Sequence, residues 1–112
     1  MADTVHLKGR VSERNKTVMY ALNRGENSGY FGKALVSPVD GYFVMTEQYS
    51  SEKKHWNKNK NEVAGVDPDF DNAVARLYKR MRRRATKIAK DEGREVEIDL
   101  DSDLEQLIKG KR

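Results

Sequence analysis

The residues Asp69 to Gly93, DFDNAVARLYKRMRRRATKIAKDEG, decide how the rest of the chain is read. Projected at about 100° per residue, Phe70, Val74, Leu77, Met81 and Ile88 fall on one stripe, flanked by Ala73, Tyr78 and Ala85. That period predicts an amphipathic helix whose apolar side must be covered by another layer. Its start is marked by Asp67-Pro68-Asp69. Asp67 is expected to accept hydrogen bonds from the free amides of the first turn, Pro68 suits the first helical position, and Asp69 and Asp71 complement the positive end of the helix dipole. Gly93 is expected to end the helix.

Beside the stripe, Arg76, Lys79, Arg80, Arg83, Lys87 and Lys90 project into a band about 100° wide that holds no acidic residue. The segment contains eight of the chain's 22 lysines and arginines. A solvated helix face normally mixes signs, because acid–base pairs four residues apart contribute about 0.2–0.5 kcal/mol each. Here like charges repel, and a polyanion would relieve that repulsion by releasing its condensed counterions on contact. The competing reading pairs the ridge with acids elsewhere, for which Glu95, Glu97, Asp99, Asp101 and Asp103 are available. Arg84 stands in the stripe between Leu77 and Ile88, where an apolar side chain is expected. It either snorkels at the core edge or marks a place where another element or a ligand meets the helix.

Upstream, the covering layer reads as strands. Val5, Leu7 and Val11 alternate with His6, Lys8 and Arg10, which predicts a strand over 5–11 with a basic outer face. SERNK (12–16) is a turn, and TVMYAL (17–22) a β-branched and aromatic second strand. RGENSG (24–29) is a glycine-bearing turn, YFGKALV (30–36) a third strand carrying Lys33, SPVDG (37–41) a turn, and YFVMTEQY (42–49) a fourth strand. Four strands joined by short turns predict an antiparallel meander. The aromatics of strands three and four are read as packing residues in preference to a base-stacking platform.

The next stretch, SSEKKHWNKNKNEVAGV (50–66), is read as a long basic loop. It sets Trp56, the only tryptophan, among Lys53, Lys54, Lys58 and Lys60. That pairing suits a segment that neutralises phosphates while stacking a ring on a base, and it equally suits a ring folded back as a plug over the core. After the helix, REVEIDL (94–100) alternates as a fifth strand with an acidic outer face. SDLEQLI (102–108) opens with a Ser102-x-x-Glu105 capping box and reads as a short amphipathic helix, and 109–112 as a frayed basic tail.

Composition sets the outer limits. The 112 residues suit one domain, and 37% hydrophobic against 36% charged residues allows only a lean core. A net charge of +4 says little by itself; the clustering of the charge carries the information. The absence of cysteine excludes disulfides, thiolate metal sites and cysteine nucleophiles. His6 and His55 have no partner at ligand spacing, the glycines match no phosphate-binding fingerprint, and no serine lies in a nucleophile-elbow context, so neither an enzyme nor a cofactor is expected. There is no 18-residue apolar run and no signal-peptide core, which makes a cytoplasmic protein without a membrane span the expectation.

Taken together, the patterns predict an α+β fold: a four-stranded antiparallel meander packed on one long basic helix, followed by a short fifth strand and a short C-terminal helix. The order of four strands and a long helix, over about Val5 to Asp91, resembles the ββββα unit of the Whirly and PUR-type single-strand-binding families. The resemblance implies that the sheet and its loops hold the nucleic acid, which would raise Lys8, Arg10, Lys33 and the aromatics of strands three and four above the helix ridge; the elements after Gly93 depart from that unit. The function expected from the residues is non-enzymatic nucleic-acid binding by the ridge and the Trp56 loop, with limited sequence specificity. The alternative is a protein-interaction module, an accessory or phage-type modulator, whose basic helix docks on an acidic partner or on a second copy of the chain.

Overall fold

In a computed structural model, which describes residues 4–24, 30–49 and 61–110, these patterns resolve into six strands and two helices. In chain order they are β1 (Thr4–Ser12), β2 (Thr17–Arg24), β3 (Tyr30–Val39), β4 (Tyr42–Tyr49), β5 (Asn61–Asp67), α1 (Phe70–Glu92), β6 (Glu95–Leu100) and α2 (Ser102–Lys109). The class is α+β as expected, but the sheet is larger than a four-stranded meander. Five strands run antiparallel in sequence order, and β6 adds to the far edge parallel to β1, giving the order β5-β4-β3-β2-β1-β6.

β5 corrects the reading of 50–66 as a loop, since its last part pairs with β4. The alternation is broken there: Met45 pairs with Gly65 but Thr46 with Val63, which leaves Ala64 as a bulge. A bulge shifts the period of two by one residue, so the segment does not look like a strand. Because β5 intervenes, the chain also departs from the ββββα order of the resembled families.

The long helix is needed to join β5 to β6 across the whole sheet. Its 23 residues span about 34 Å at ~1.5 Å per residue. Six strands set about 4.8 Å apart are only about 24 Å wide between their outer axes. The helix runs diagonally and touches every strand. Near its start Phe70 packs on Phe43 of β4 with ring centroids 5.2 Å apart, and just past its end β6 begins beside Thr4. It begins two residues later than expected, with Asp69 as the cap residue, and ends as expected at Gly93, whose φ of 66° is left-handed.

The core lies between α1 and one face of the sheet. Val5, Leu7, Val18, Leu22, Ala34, Val36 and Met45 meet Ala73, Val74, Leu77, Met81, Ala85 and Ala89. Tyr20 joins them fully buried, its hydroxyl donating to the Val74 carbonyl at 2.9 Å. Burial, reinforced by neighbouring Tyr78, pushes its phenol well above the usual range.

A diagonal helix leaves two corners of the sheet uncovered. α2 covers one of them: Leu104 is fully buried, and Gly9 of β1 lies so close that a Cβ there would stand 2.7 Å from both Leu100 and Leu104. The Ser102–Glu105 capping box is not how α2 starts. Asp101 is the cap residue; its amide donates to the Gly9 carbonyl at 3.1 Å, and its carboxylate accepts from Val11 N at 3.3 Å. The expected turn over 37–41 is also tighter, because β3 continues through Pro38 to Val39. Only Asp40 and Gly41, both at positive φ, make the hairpin loop.

Candidate nucleic-acid interface

α1 divides its cations between two directions. At one shoulder of the core stripe, Arg76, Arg80 and Arg84 reach down to acids of the sheet. Arg76 pairs with Asp67 of β5 at 3.0 Å, and Arg84 Nε with Glu47 of β4 at 2.7 Å; Arg80 Nε donates to the other oxygen of Glu47. Glu47 follows Phe43 and Met45 on the helix-facing side of β4 and is only 2% exposed. Its carboxylate, clamped by the two arginines, occupies the corner that α1 leaves open over β4. This explains Arg84 in the apolar stripe: another element does meet the helix there.

Two members of the expected ridge, Arg76 and Arg80, are therefore partnered inside the chain. Their partners are not the acids that the sequence offered. Glu95, Glu97 and Asp99 alternate with Val96, Ile98 and Leu100 on β6, and the register Val5↔Val96 and Leu7↔Ile98 places those three acids on the sheet face away from α1. There Glu97 meets His6 Nδ1 at 3.1 Å.

Asp67 has a second task. It accepts from Asp69 N at 2.9 Å, from Asn72 Nδ2 at 2.8 Å and from Arg76, tying β5 to the first turn of α1. The backbone bond from Asp69 comes first in holding its carboxyl below the usual carboxylate range, with Arg76 and Asn72 assisting against the opposing effect of burial.

Lys79, Arg83, Lys87 and Lys90 remain on the solvent side of α1, and the structure adds Arg82 to them. With Thr86 and Asp91 these five cations line an open trough of about 570 Å³. The one acid is 3.7 Å from Lys87. Arg82 lies outside the band of six, yet it stands three residues after Lys79 and four before Thr86, the spacing that brings helix side chains together. That spacing could have found it. The trough gathers five cations against one acid.

Lys8, Arg10 and Lys33 lie elsewhere. The register Lys8↔Ala21↔Lys33 and Arg10↔Met19 puts them on the open face of the sheet, behind the layer that carries α1. They share that face with the exposed apolar side chains of Met19, Leu35, Tyr42, Val63 and Val66. No single stretch of ligand could lie flat on both surfaces. Of the strand aromatics, Tyr42 is exposed on this face, while Phe43 packs inward on Phe70. Lys53, Lys54, Trp56, Lys58 and Lys60 fall outside the described residues, as does His55.

Among the described residues there is no cluster of three histidines or acids that could hold a metal ion, and no helix is long and apolar enough to cross a membrane. No protein-family model, no curated protein and no solved structure matches the chain.

Proposed function

We propose that the protein binds nucleic acid without catalysis, through the solvent side of α1, with affinity carried by phosphate contacts and limited sequence specificity. One observation carries this reading. Lys79, Arg82, Arg83, Lys87 and Lys90 are gathered around one trough with a single acid, while the sheet acids nearest to α1 are already taken up by Arg76, Arg80 and Arg84. The internal ion pairs do not neutralise the outer face. A phosphate backbone would do so, with counterion release as the driving force. Lysines of the 50–60 segment would add to the same term, and Trp56 could stack on a base.

A second reading has its own support. Glu95, Glu97 and Asp99 form an acidic edge on the face opposite α1, so the trough of one copy would find a complementary strip on another, or on an acidic partner protein.

Fluorescence anisotropy with labelled mixed-sequence oligonucleotides over a salt series separates the two. Nucleic-acid binding predicts micromolar or tighter association at low salt that weakens steeply as salt rises, and a large loss in the double variant Arg83→Glu/Lys87→Glu. Absence of binding at low salt, together with concentration-dependent self-association, would replace the first reading by the second.

A further inference from the structure

We propose that the outer face of α1 is shaped for the major groove of B-form duplex DNA; the inference rests on the nucleic-acid reading above and narrows it to one class of ligand. Three features of the face point this way.

The first is the arrangement of the cations around the helix axis. Lys79, Thr86 and Lys90 lie along the crest, opposite the buried stripe, with Arg83 beside them. Arg82 stands on one shoulder and Lys87 on the other, five residues on, which places them about 140° apart. Cations on both shoulders suit a ligand with a phosphate chain on each side, and a duplex presents two such chains flanking its groove. A single strand has one backbone and would engage one shoulder.

The second is shape. α1 lies with α2 on one face of the sheet, and all five cations on its solvent side are exposed. The helix itself is a projecting rod, and the trough is the shallow space between the side chains that stand out from it. With side chains a helix is about 10–12 Å across. The B-DNA major groove, about 12 Å wide, admits a rod of that size, whereas the major groove of an A-form RNA duplex is too deep and narrow for side chains to read. From Lys79 to Lys90 the face extends about 16 Å at ~1.5 Å per residue. At ~3.4 Å per base pair that is the length of about five pairs.

The third is what the crest lacks. Single-strand sites stack bases on aromatic rings. The crest residues are Lys, Arg and Thr, and the helix's own aromatics are turned inward: Phe70 packs on Phe43, and half-buried Tyr78 stands 6.1 Å from Tyr20. Thr86, at the centre, presents a methyl group and a hydroxyl of the kind that meets base edges; its hydroxyl now donates to the Arg82 carbonyl at 2.9 Å.

The test uses the full chain with three labelled ligands at matched ionic strength: a 20-base-pair DNA duplex, one of its strands alone, and the RNA duplex of the same sequence. The expected result is that duplex DNA binds at least about tenfold more tightly than either other ligand. Guanine N7, which lies in the major groove, should then be protected from dimethyl sulfate. Arg82→Ala and Lys87→Ala, both exposed changes, should each reduce the salt slope by about one, with the circular dichroism spectrum unchanged. Equal or tighter binding of the single strand or the RNA duplex overturns the proposal and leaves the nucleic-acid reading standing. Duplex binding with guanine N7 still reactive overturns it in the same way. Failure to bind all three ligands at low salt removes both readings together.

Discussion

Arg84 Nε donates to Oε1 of Glu47 at 2.7 Å, from the apolar stripe of α1 to a carboxylate that is 2% exposed on β4. Arg80 takes the other oxygen. A buried carboxylate is tolerated only when paired and hydrogen-bonded, and removing one partner leaves part of its desolvation cost uncompensated. Arg84→Met is therefore expected to destabilise the protein by about 1–3 kcal/mol, read as a lower urea midpoint. Adding Glu47→Leu should recover most of that loss, because the corner becomes apolar and half-exposed Arg80 can turn to solvent. A double variant less stable than Arg84→Met would instead show that the ion pair contributes net stability.

Gly9 sits where α2 comes closest to the sheet. A Cβ at that position would lie 2.7 Å from Leu100 Cδ2 and Leu104 Cδ2 and 3.0 Å from Tyr20 Cδ1. Tyr20 and Leu104 are fully buried and have little room to move, and Leu100 is half-buried against them. Gly9→Ala is expected to cost about 1–3 kcal/mol by overpacking. Thermal unfolding should show a lowered midpoint. An unchanged midpoint would mean that α2 can lift off β1 without penalty.

Asp67 couples stability to acid. Its carboxyl is held below the ordinary value in the folded protein, so it contributes stability that is fully present above its unfolded pKa of about 4 and is lost as the pH falls through the folded value. Urea unfolding at pH 6 and at points below pH 4 should show this loss. Asp67→Asn should be less stable at pH 6 and lose less on acidification. Parallel stability curves for parent and variant would assign the acid sensitivity to other carboxylates.

The parts of the fold legible in the sequence are those with an unbroken period. α1 declared itself through its stripe and Gly93, and β1, β2, β4 and β6 through alternation or β-branched content. β5 did not, because the bulge at Ala64 moves Val63 and Val66 onto the same exposed face and erases the alternation. The parallel pairing of β6 with β1 was also hidden, since a strand pattern carries no direction. In the candidate interface, the cationic character of α1 could be read directly, but not its division. Which arginines turn inward depends on Glu47 and Asp67, which lie on β4 and β5 and become neighbours of the helix only when it crosses the sheet diagonally. Arg84 looked like an error in the stripe for the same reason.

The parallel pairing of β6 with β1 has a consequence for the order in which the molecule assembles. Each hairpin from β1 to β4 joins neighbours in the chain, whereas the β1–β6 ladder brings Thr4 beside Glu95 and Gly9 beside Leu100. Such distant contacts require a loop of nearly the whole domain to close first, and they form slowly. During synthesis β1 emerges early and waits, with one rim of amides and carbonyls unpaired, until α1 has docked and carried β6 across. Through that interval the protein has an adhesive edge that the finished fold hides, and α1 sets how long it stays open.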